Sequence, residues 1–565
     1  MMKRGILLAF GTHDLGDVEV TADDAGLVAH ATPFANVHVG RELPVELLSD
    51  TAVVGDCFAY SGESRRVWGD YLRFSLVGHG ALRVERAPVT GMPLYWTRWR
   101  RGILCFSHLE LAARLGVDLA VDWDFVRHSL AYRNFRTERT GIAGVAEILP
   151  GTALTFDGVE PSAAPFWSPW SHVARDSGAG LESAAAVVED CTLMCVDRWA
   201  KQSEDRWLEL SGGLDSSIIA SSLTACGYSF RAVTAVTATP DGDERRYARD
   251  VARQCGASLV EAPIDEAAID LLSEPEHLTV RPAAASILAG FDRAIARAVS
   301  ARDGDQIWSG IGGDNIFGYS HSVSPAIDAW QAKGLRAPLF RLLGDIAAVA
   351  GTTRWHAARA LGRRLRARTS RPLWPRDDIF AERSALPATP FRHPWHEAAS
   401  DFPPGKRQHV EALMRIADFM DRPDRWHDRK VVAPLLSQPL VEACLAIPSW
   451  LWISGGRDRA VARAAFARQL PPSVLHRRTK GRLEAMCAAA FQRERARLAP
   501  FLLEGRIATH GLLDRPEIER YFSREGVDAE FAYFRLLEIA DLERWVRLVE
   551  SRSCSTGKSD AQRAY

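Results

Sequence analysis

Residues Ser211–Ser217 read SGGLDSS and join the apolar run Trp207–Leu210 to the apolar run Ile218–Leu223. A short apolar run, a glycine- and hydroxyl-rich break and a second apolar run specify a strand, a tight turn and a helix in succession. That unit is at home in a parallel sheet, where ligands bind beyond the carboxyl ends of the strands. Gly212 and Gly213 leave the backbone free to approach a ligand, while Ser211, Ser216 and Ser217 add hydroxyl donors. A helix starting near Ser216 would aim its unpaired N–H groups and positive dipole end at an anion. The whole stretch, with Leu214 and Asp215, is therefore a candidate site for the phosphates of a nucleotide. Asp215 would repel phosphate unless a divalent cation lies between them, which points to Mg²⁺. The loop has no lysine and is too short for GxxxxGK[ST], so it is not the P-loop of kinases.

A second turn of the same kind follows the strand-like run Gln306–Ser309 and reads Gly310, Ile311, Gly312, Gly313, Asp314, Asn315. By itself it fits a helix N-terminus capped by an aspartate. Paired with the first at one sheet edge, it would set Asp215 and Asp314 around one Mg²⁺, which takes one or two carboxylates plus substrate phosphates and water. Gly310, Gly312 and Gly313 would then face the nucleotide. SGGLDSS resembles the SGGxDS loop of the ATP pyrophosphatases, which grip the β,γ-pyrophosphate and release it while transferring AMP.

The rest of the chain reads as two domains of an α/β protein. Residues 1–160 hold short β-type runs, among them Ile6–Phe10, Tyr71–Leu76, Leu82–Val84, Leu94–Trp96 and Ala153–Phe156, separated by Gly, Pro and Asp turns. Residues 161–180 are rich in Pro, Ser, Gly and Trp without periodicity and read as a linker. From 181 to 550, strands at Trp207–Leu210, Arg231–Val236, Ser258–Ala262 and Gln306–Ser309 are interleaved with helices at Ser216–Cys226 and Asp243–Cys255, and the chain beyond Ala326 reads as almost wholly helical. Residues 551–565 are polar enough to be expected without structure.

Charge and cysteine content narrow the partners. Seventy Lys and Arg nearly balance 71 Asp and Glu, so no global field favours nucleic acid or an anionic membrane. Nine cysteines without CxxC spacing, no secretory leader and no 18-residue apolar stretch lead to the expectation of a cytoplasmic protein without membrane insertion. Cys191 and Cys195 lie one helical turn apart but no third ligand completes a site, so they read as packing residues.

Taken together, these motifs resemble the asparagine synthetase family, in which an N-terminal glutaminase domain precedes an ATP pyrophosphatase domain. In the first domain the matching landmarks are WGDYLRF (Trp68–Phe74), Arg86, Pro88 and Gly91 leading into Pro93–Leu94–Tyr95, and ILPGTALTF (Ile148–Phe156). In the second they are SGGLDSS, SGIGGDNIFGY, APLLSQPLVEACLAIP (Ala433–Pro448) and LPPSVLHRRTKG (Leu470–Gly481), in family order. The resemblance implies an Ntn-hydrolase-like, mostly β sandwich followed by the adenylating domain, with ATP and Mg²⁺ as cofactors. It also implies that Lys480 stabilises charge on the phosphate and the tetrahedral intermediate, beside catalytic Asp215 and Asp314.

The departures from the family select a branch. Family glutaminases use an N-terminal cysteine whose own amine is the base; here the chain starts Met1, Met2, Lys3, Arg4, Gly5, and Cys57 and Cys105 are internal. Glutamine hydrolysis is therefore expected to be absent and the amine to come from the substrate itself. SGIGGDNIFGY with SHSVSPAIDAW, Ser437 in PLLSQPLVE, ISGGRDRAVARAAF (Ile453–Phe466) and HPWHE (His393–Glu397) resemble lasso peptide cyclases. Ile311 stands where asparagine synthetases and β-lactam synthetases carry Glu or Tyr. The implied partners are a core peptide after leader removal, a leader peptidase and a leader-binding protein. Two other readings stay open: a small-molecule amide or β-lactam synthetase, and an ATP-binding pseudo-synthetase scaffold.

Three remaining features read either way. Asp243–Glu244 either position ATP or metal or serve as ordinary helix N-terminal acids. Arg359, Arg363, Arg364, Arg366 and Arg368 form either a solvated helix face or a docking surface. His393 and His396 lack the Glu of HExxH and a third ligand, which argues against zinc.

Overall fold

The computed structural model describes residues 4–11, 16–32, 35–60, 63–174, 178–239, 242–282, 286–299, 306–366, 374–420, 429–478, 481, 483–524 and 532–563. The first part is built from β1 (Ile6–Phe10), β2 (Leu27–Ala31), β3 (Asn36–Gly40), β4 (Val45–Leu47), β5 (Thr51–Tyr60) and β6 (Glu63–Val77). It continues with β7 (Ala81–Arg86), β8 (Tyr95–Trp99), β9 (Gly102–Phe106), β10 (Val145–Glu147), β11 (Thr152–Phe156) and β12 (Pro161–Pro165). They form two six-stranded antiparallel sheets, ordered β10-β8-β9-β1-β3-β2 and β12-β11-β7-β6-β5-β4.

Side-chain alternation explains why these sheets stack. Along β1, Ile6 and Leu8 point one way and, with Ile103 and Cys105, meet Val54, Phe74, Val84 and Leu154 of the other sheet in a dry core. Leu7 and Ala9 point the other way and join a separate core with Val18 and Ala22 of helix Gly16–Ala25 and Leu109 and Ala112 of helix Leu109–Arg114. A strand buried on both faces is why ILLAF is continuously apolar rather than alternating.

The second part opens with helix Leu181–Ala200 and contains β13 (Arg206–Glu209), β14 (Arg231–Val236), β15 (Ser258–Pro263), β16 (Gln306–Trp308) and β17 (Lys430–Val432). All pairings are parallel, in the order β15-β14-β13-β16-β17. The chain runs outward from β13 to β15 and then restarts on the other side at β16. The order reverses between β13 and β16, which opens a crevice at their carboxyl ends.

β17 was not expected in the chain beyond Ala326, which reads as almost wholly helical and is largely so among the described residues. It is only three residues long, too short to show a period, and exists because the free edge of β16 pairs Ile307 with Val431 and Trp308 with Val432.

The 161–180 segment also differs from a free linker. Pro161–Pro165 pairs with β11 as an edge strand, where prolines are tolerated because one side needs no donor. Beyond it, Trp167 and Trp170 are buried against the second domain: Trp167 Nε1 donates to Glu442 at 2.9 Å and Trp170 Nε1 to the Trp395 carbonyl at 2.7 Å. Trp170→Phe, which keeps most of the ring but strands that buried carbonyl, should cost about 1–2 kcal/mol in denaturant unfolding. The terminal 551–565 segment, expected to lack structure, continues helix Tyr533–Arg563 as far as Arg563. Propagating a helix from a packed stem costs far less than nucleating one.

A buried ionic cluster ties the two parts together. Glu147, whose side chain is fully buried, accepts from Arg86 at 2.5 Å, Arg136 at 2.6 Å and Arg281 at 2.8 Å. Arg86 lies on β7 and Arg136 in the connection before β10, whereas Arg281 follows β15, and Arg136 also donates to the Ala417 carbonyl at 3.0 Å. Burial by itself would raise the Glu147 carboxyl, but the three guanidinium groups outweigh it and hold the pKa down at about 2.

Candidate active site

Helix Leu214–Ala225 starts at Leu214, two residues before the expected Ser216, with Gly213 in the capping position. Asp215 therefore sits in the first turn, at the open end of β13. Gly212 has φ +68, and a Cβ there would lie 2.4 Å from Cβ of Tyr247, so its glycine serves close packing on helix Arg245–Cys255. Ser211 Oγ accepts from the Gly213 N–H at 3.2 Å and lies 3.3 Å from Ser216 Oγ. Ser216 and Ser217 are both buried, and Ser217 donates to the Gly213 carbonyl at 2.7 Å, so it braces the loop.

The second turn closes against the first. Asp314 lies in the short helix Gly313–Ile316 directly after β16. A Cβ on Gly313 would fall 2.3 Å from Cγ of Asp215, and one on Gly310 would fall 2.8 Å from the Ser216 nitrogen. The glycines thus let two loops approach within backbone contact, a role distinct from facing a nucleotide. Gly313→Ala should push the Asp215 carboxylate aside and weaken ATP binding about tenfold, from an overpacking cost of roughly 1–3 kcal/mol, as read by calorimetric titration.

Asp215 and Asp314 do converge on one cation, and that cation is Arg459. Its Nη1 donates to Asp314 Oδ1 at 2.5 Å and to Asp215 Oδ1 at 3.3 Å. Burial would lower the guanidinium pKa, but Asp215, Asp314 and Asp458 reverse that and raise it. Both carboxylates reach a single positive centre, so the pair fits the Mg²⁺ expected from the sequence. Among the described residues no group of three or more His, Cys, Asp or Glu side chains gathers, at this pair or elsewhere.

A cavity of about 730 Å³ opens in front of the two turns, within the range of small-molecule sites. Ser211, Gly213, Leu214, Asp215, Ser216, Gly310, Gly312 and Asp314 line it, while Gly212, Ser217 and Gly313 stand behind. Ile311 lines it as well, an apolar wall beside the acidic pair. Arg415, Arg457, Arg459, Arg463, Arg477 and Arg478 line it too, a concentration of guanidinium groups suited to a polyphosphate. Neither Arg459 nor Arg477 was singled out by sequence, although both lie within the quoted motifs Ile453–Phe466 and Leu470–Gly481.

The other expected residues fall into place as follows. Asp243 pairs with Arg245 at 2.7 Å at the start of its own helix. Glu244 accepts from Arg477 at 2.7 Å and from the Gly481 N–H at 3.1 Å, so it anchors the 477–481 segment beside the cavity. Arg477 in turn donates to the Gly212 carbonyl at 3.3 Å. Lys480 lies outside the described residues, although both flanking anchors are described. Burial raises the thiol pKa of Cys57 and pushes that of Cys105 up to about 12, so neither is a poised nucleophile. His393 caps helix Pro394–Glu397 by accepting from the Trp395 N–H at 3.1 Å, and burial holds its pKa down at about 3. Arg359, Arg363 and Arg366 are exposed on helix Arg354–Arg366, whose buried face is Ala357 and Leu361; Arg368 lies outside the described residues. No described helix is long and apolar enough to cross a membrane.

The family model for asparagine synthase matches residues 195–547, which include both aspartate turns, Arg459 and the 477–481 segment. No curated protein matches. A solved structure described as the allosteric regulatory enzyme of purine biosynthesis is similar over 46% of this chain and 74% of its own, at 11% identity and a TM-score of 0.17. The family match spans more than half of the sequence and takes in every element that shapes the crevice between β13 and β16, and on that ground the chain belongs to the asparagine synthase family and is an ATP-dependent amide ligase.

Proposed function

We propose that this ligase closes a macrolactam in a peptide, as lasso peptide cyclases do. An Asp or Glu side chain of a leader-free core peptide attacks the α-phosphorus of ATP, forming an acyl-adenylate and expelling pyrophosphate. The N-terminal amine of the same peptide then attacks the acyl carbon, loses a proton as the amide forms, and AMP departs. The loop N–H groups around Ser211–Ser216 and the cavity arginines hold the polyphosphate and neutralise the departing charge. Mg²⁺ held by Asp215 and Asp314 would supply further charge neutralisation on the phosphate oxygens.

The observation that supports an internal amine is the cavity wall. Ile311 presents hydrocarbon where an acid or phenol would orient a small polar substrate or serve as base. An α-amine with a pKa of roughly 7.7–8.0 keeps a sizeable neutral fraction at cellular pH, so a strong base is less necessary. The cavity also runs past the phosphate loops to Ala348, Val349 and Ile416 of the helical half, which offers apolar contact to a peptide. A leader peptidase and a leader-binding protein would supply that peptide.

Mass spectrometry of a leader-free peptide incubated with the protein, ATP and Mg²⁺ tests this reading. The expected product is lighter by one water, formed together with AMP and pyrophosphate. Formation of ADP, or absence of any dehydrated product from precursors encoded beside the gene, would overturn it.

A further inference from the structure

The two carboxylates at the heart of the site are already bridged by a positive charge belonging to the chain. We propose that the Arg459 guanidinium holds the metal position between Asp215 and Asp314 in the nucleotide-free protein and gives it up when ATP arrives with its Mg²⁺, moving onto the polyphosphate. This rests on the ATP-dependent reading above. It makes metal binding conditional on nucleotide.

Three features of the structure lead there. The first is geometric exclusion: Nη1 lies 2.5 Å from Asp314 and 3.3 Å from Asp215, so an ion bound to both oxygens and this nitrogen would compete for the same place. Without any cation the two carboxylates would repel one another across the Gly313 contact. With Arg459 between them, a metal arriving by itself must displace an ion pair whose guanidinium side chain is only 12% exposed.

The second is backbone strain. Arg459 has φ +49, a left-handed conformation that is uncommon for a residue with a side chain. It follows Gly455 and Gly456, which have φ +62 and +67. A strained residue persists where its surroundings over-determine it, and here the two aspartates do so. Loss of those partners would release a segment that already has two hinge-capable glycines behind it.

The third is a destination. The guanidinium carbon stands 5.3 Å from the Tyr319 ring, and both side chains line the cavity that the phosphates would enter. A planar guanidinium matches phosphate oxygens in pairs, so the charge expelled from the carboxylates finds a better partner on the nucleotide itself.

Binding of Mn²⁺ to the full chain, followed by the electron paramagnetic resonance of free Mn²⁺, tests the exchange without any turnover. Nucleotide-free wild type should bind Mn²⁺ weakly. Arg459→Met should bind it at least tenfold more tightly, and the gain should vanish in the double variant Arg459→Met/Asp215→Asn. Arg459→Lys keeps the positive charge and should show no such gain. Equal Mn²⁺ affinity in wild type and Arg459→Met, or an equal gain in Arg459→Lys, would overturn the inference. Failure of wild type to bind ATP with Mn²⁺ at all would instead remove the ATP-dependent reading beneath it.

Discussion

Asp215→Asn should lower AMP-forming turnover by on the order of 10²–10³-fold in kcat while leaving the fold intact. Asparagine has the same shape as aspartate, so the close contact with Gly313 survives and only the charge is lost. The loss would fall on the proposed step in which negative charge builds on a departing pyrophosphate. Asp314→Asn should behave alike, and the double variant should be little worse than either, because two ligands of one cation act as a unit. Pyrophosphate release read beside the thermal transition separates this from unfolding. A loss smaller than about tenfold in either single variant would show that the pair does not hold the metal.

Glu147→Ala should be strongly destabilising, by about 3–5 kcal/mol, because it leaves Arg86, Arg136 and Arg281 buried without their shared anion. The same group sets an acid limit. Its folded pKa, about 2, lies below the unfolded value of roughly 4.3. Its contribution is therefore present in full above about pH 5 and is lost as pH falls through the unfolded value toward about 2. Wild type should lose stability across that window more steeply than Glu147→Ala, as measured by urea unfolding at a series of pH values. Since the cluster joins the sandwich to the second domain, separation of the two should accompany the loss. Parallel pH profiles for the two proteins would contradict this account.

Much of this molecule could be read from local pattern. Strands β13, β14, β15 and β16 fall within a residue or two of their expected limits, because each is an apolar run bounded by a Gly, Asp or Pro break. Where reading failed, the element depended on a distant neighbour. β17 is three residues that become a strand only by pairing with β16. Trp167 and Trp170 lie in a stretch rich in Pro and Ser that resembles a free linker, and their burial is set by Glu442 and Trp395, more than 200 residues away.

The active site divides along the same line. SGGLDSS and SGIGGDNIFGY each state, in a few adjacent residues, a strand, a close-packed turn and an aspartate at a helix start, and sheet topology brings such turns to one edge. The sequence by itself therefore determined the two glycine-rich turns, the acidic pair they carry and the family they belong to. Only the tertiary structure decided what stands between the two aspartates. Arg459 is 244 residues from Asp215 and 145 from Asp314, and no local period encodes a meeting at that separation. It arises because the helix Ala460–Ala465 packs on Leu181–Ala200 and delivers its capping residue to the crevice, where a buried guanidinium requires carboxylate partners.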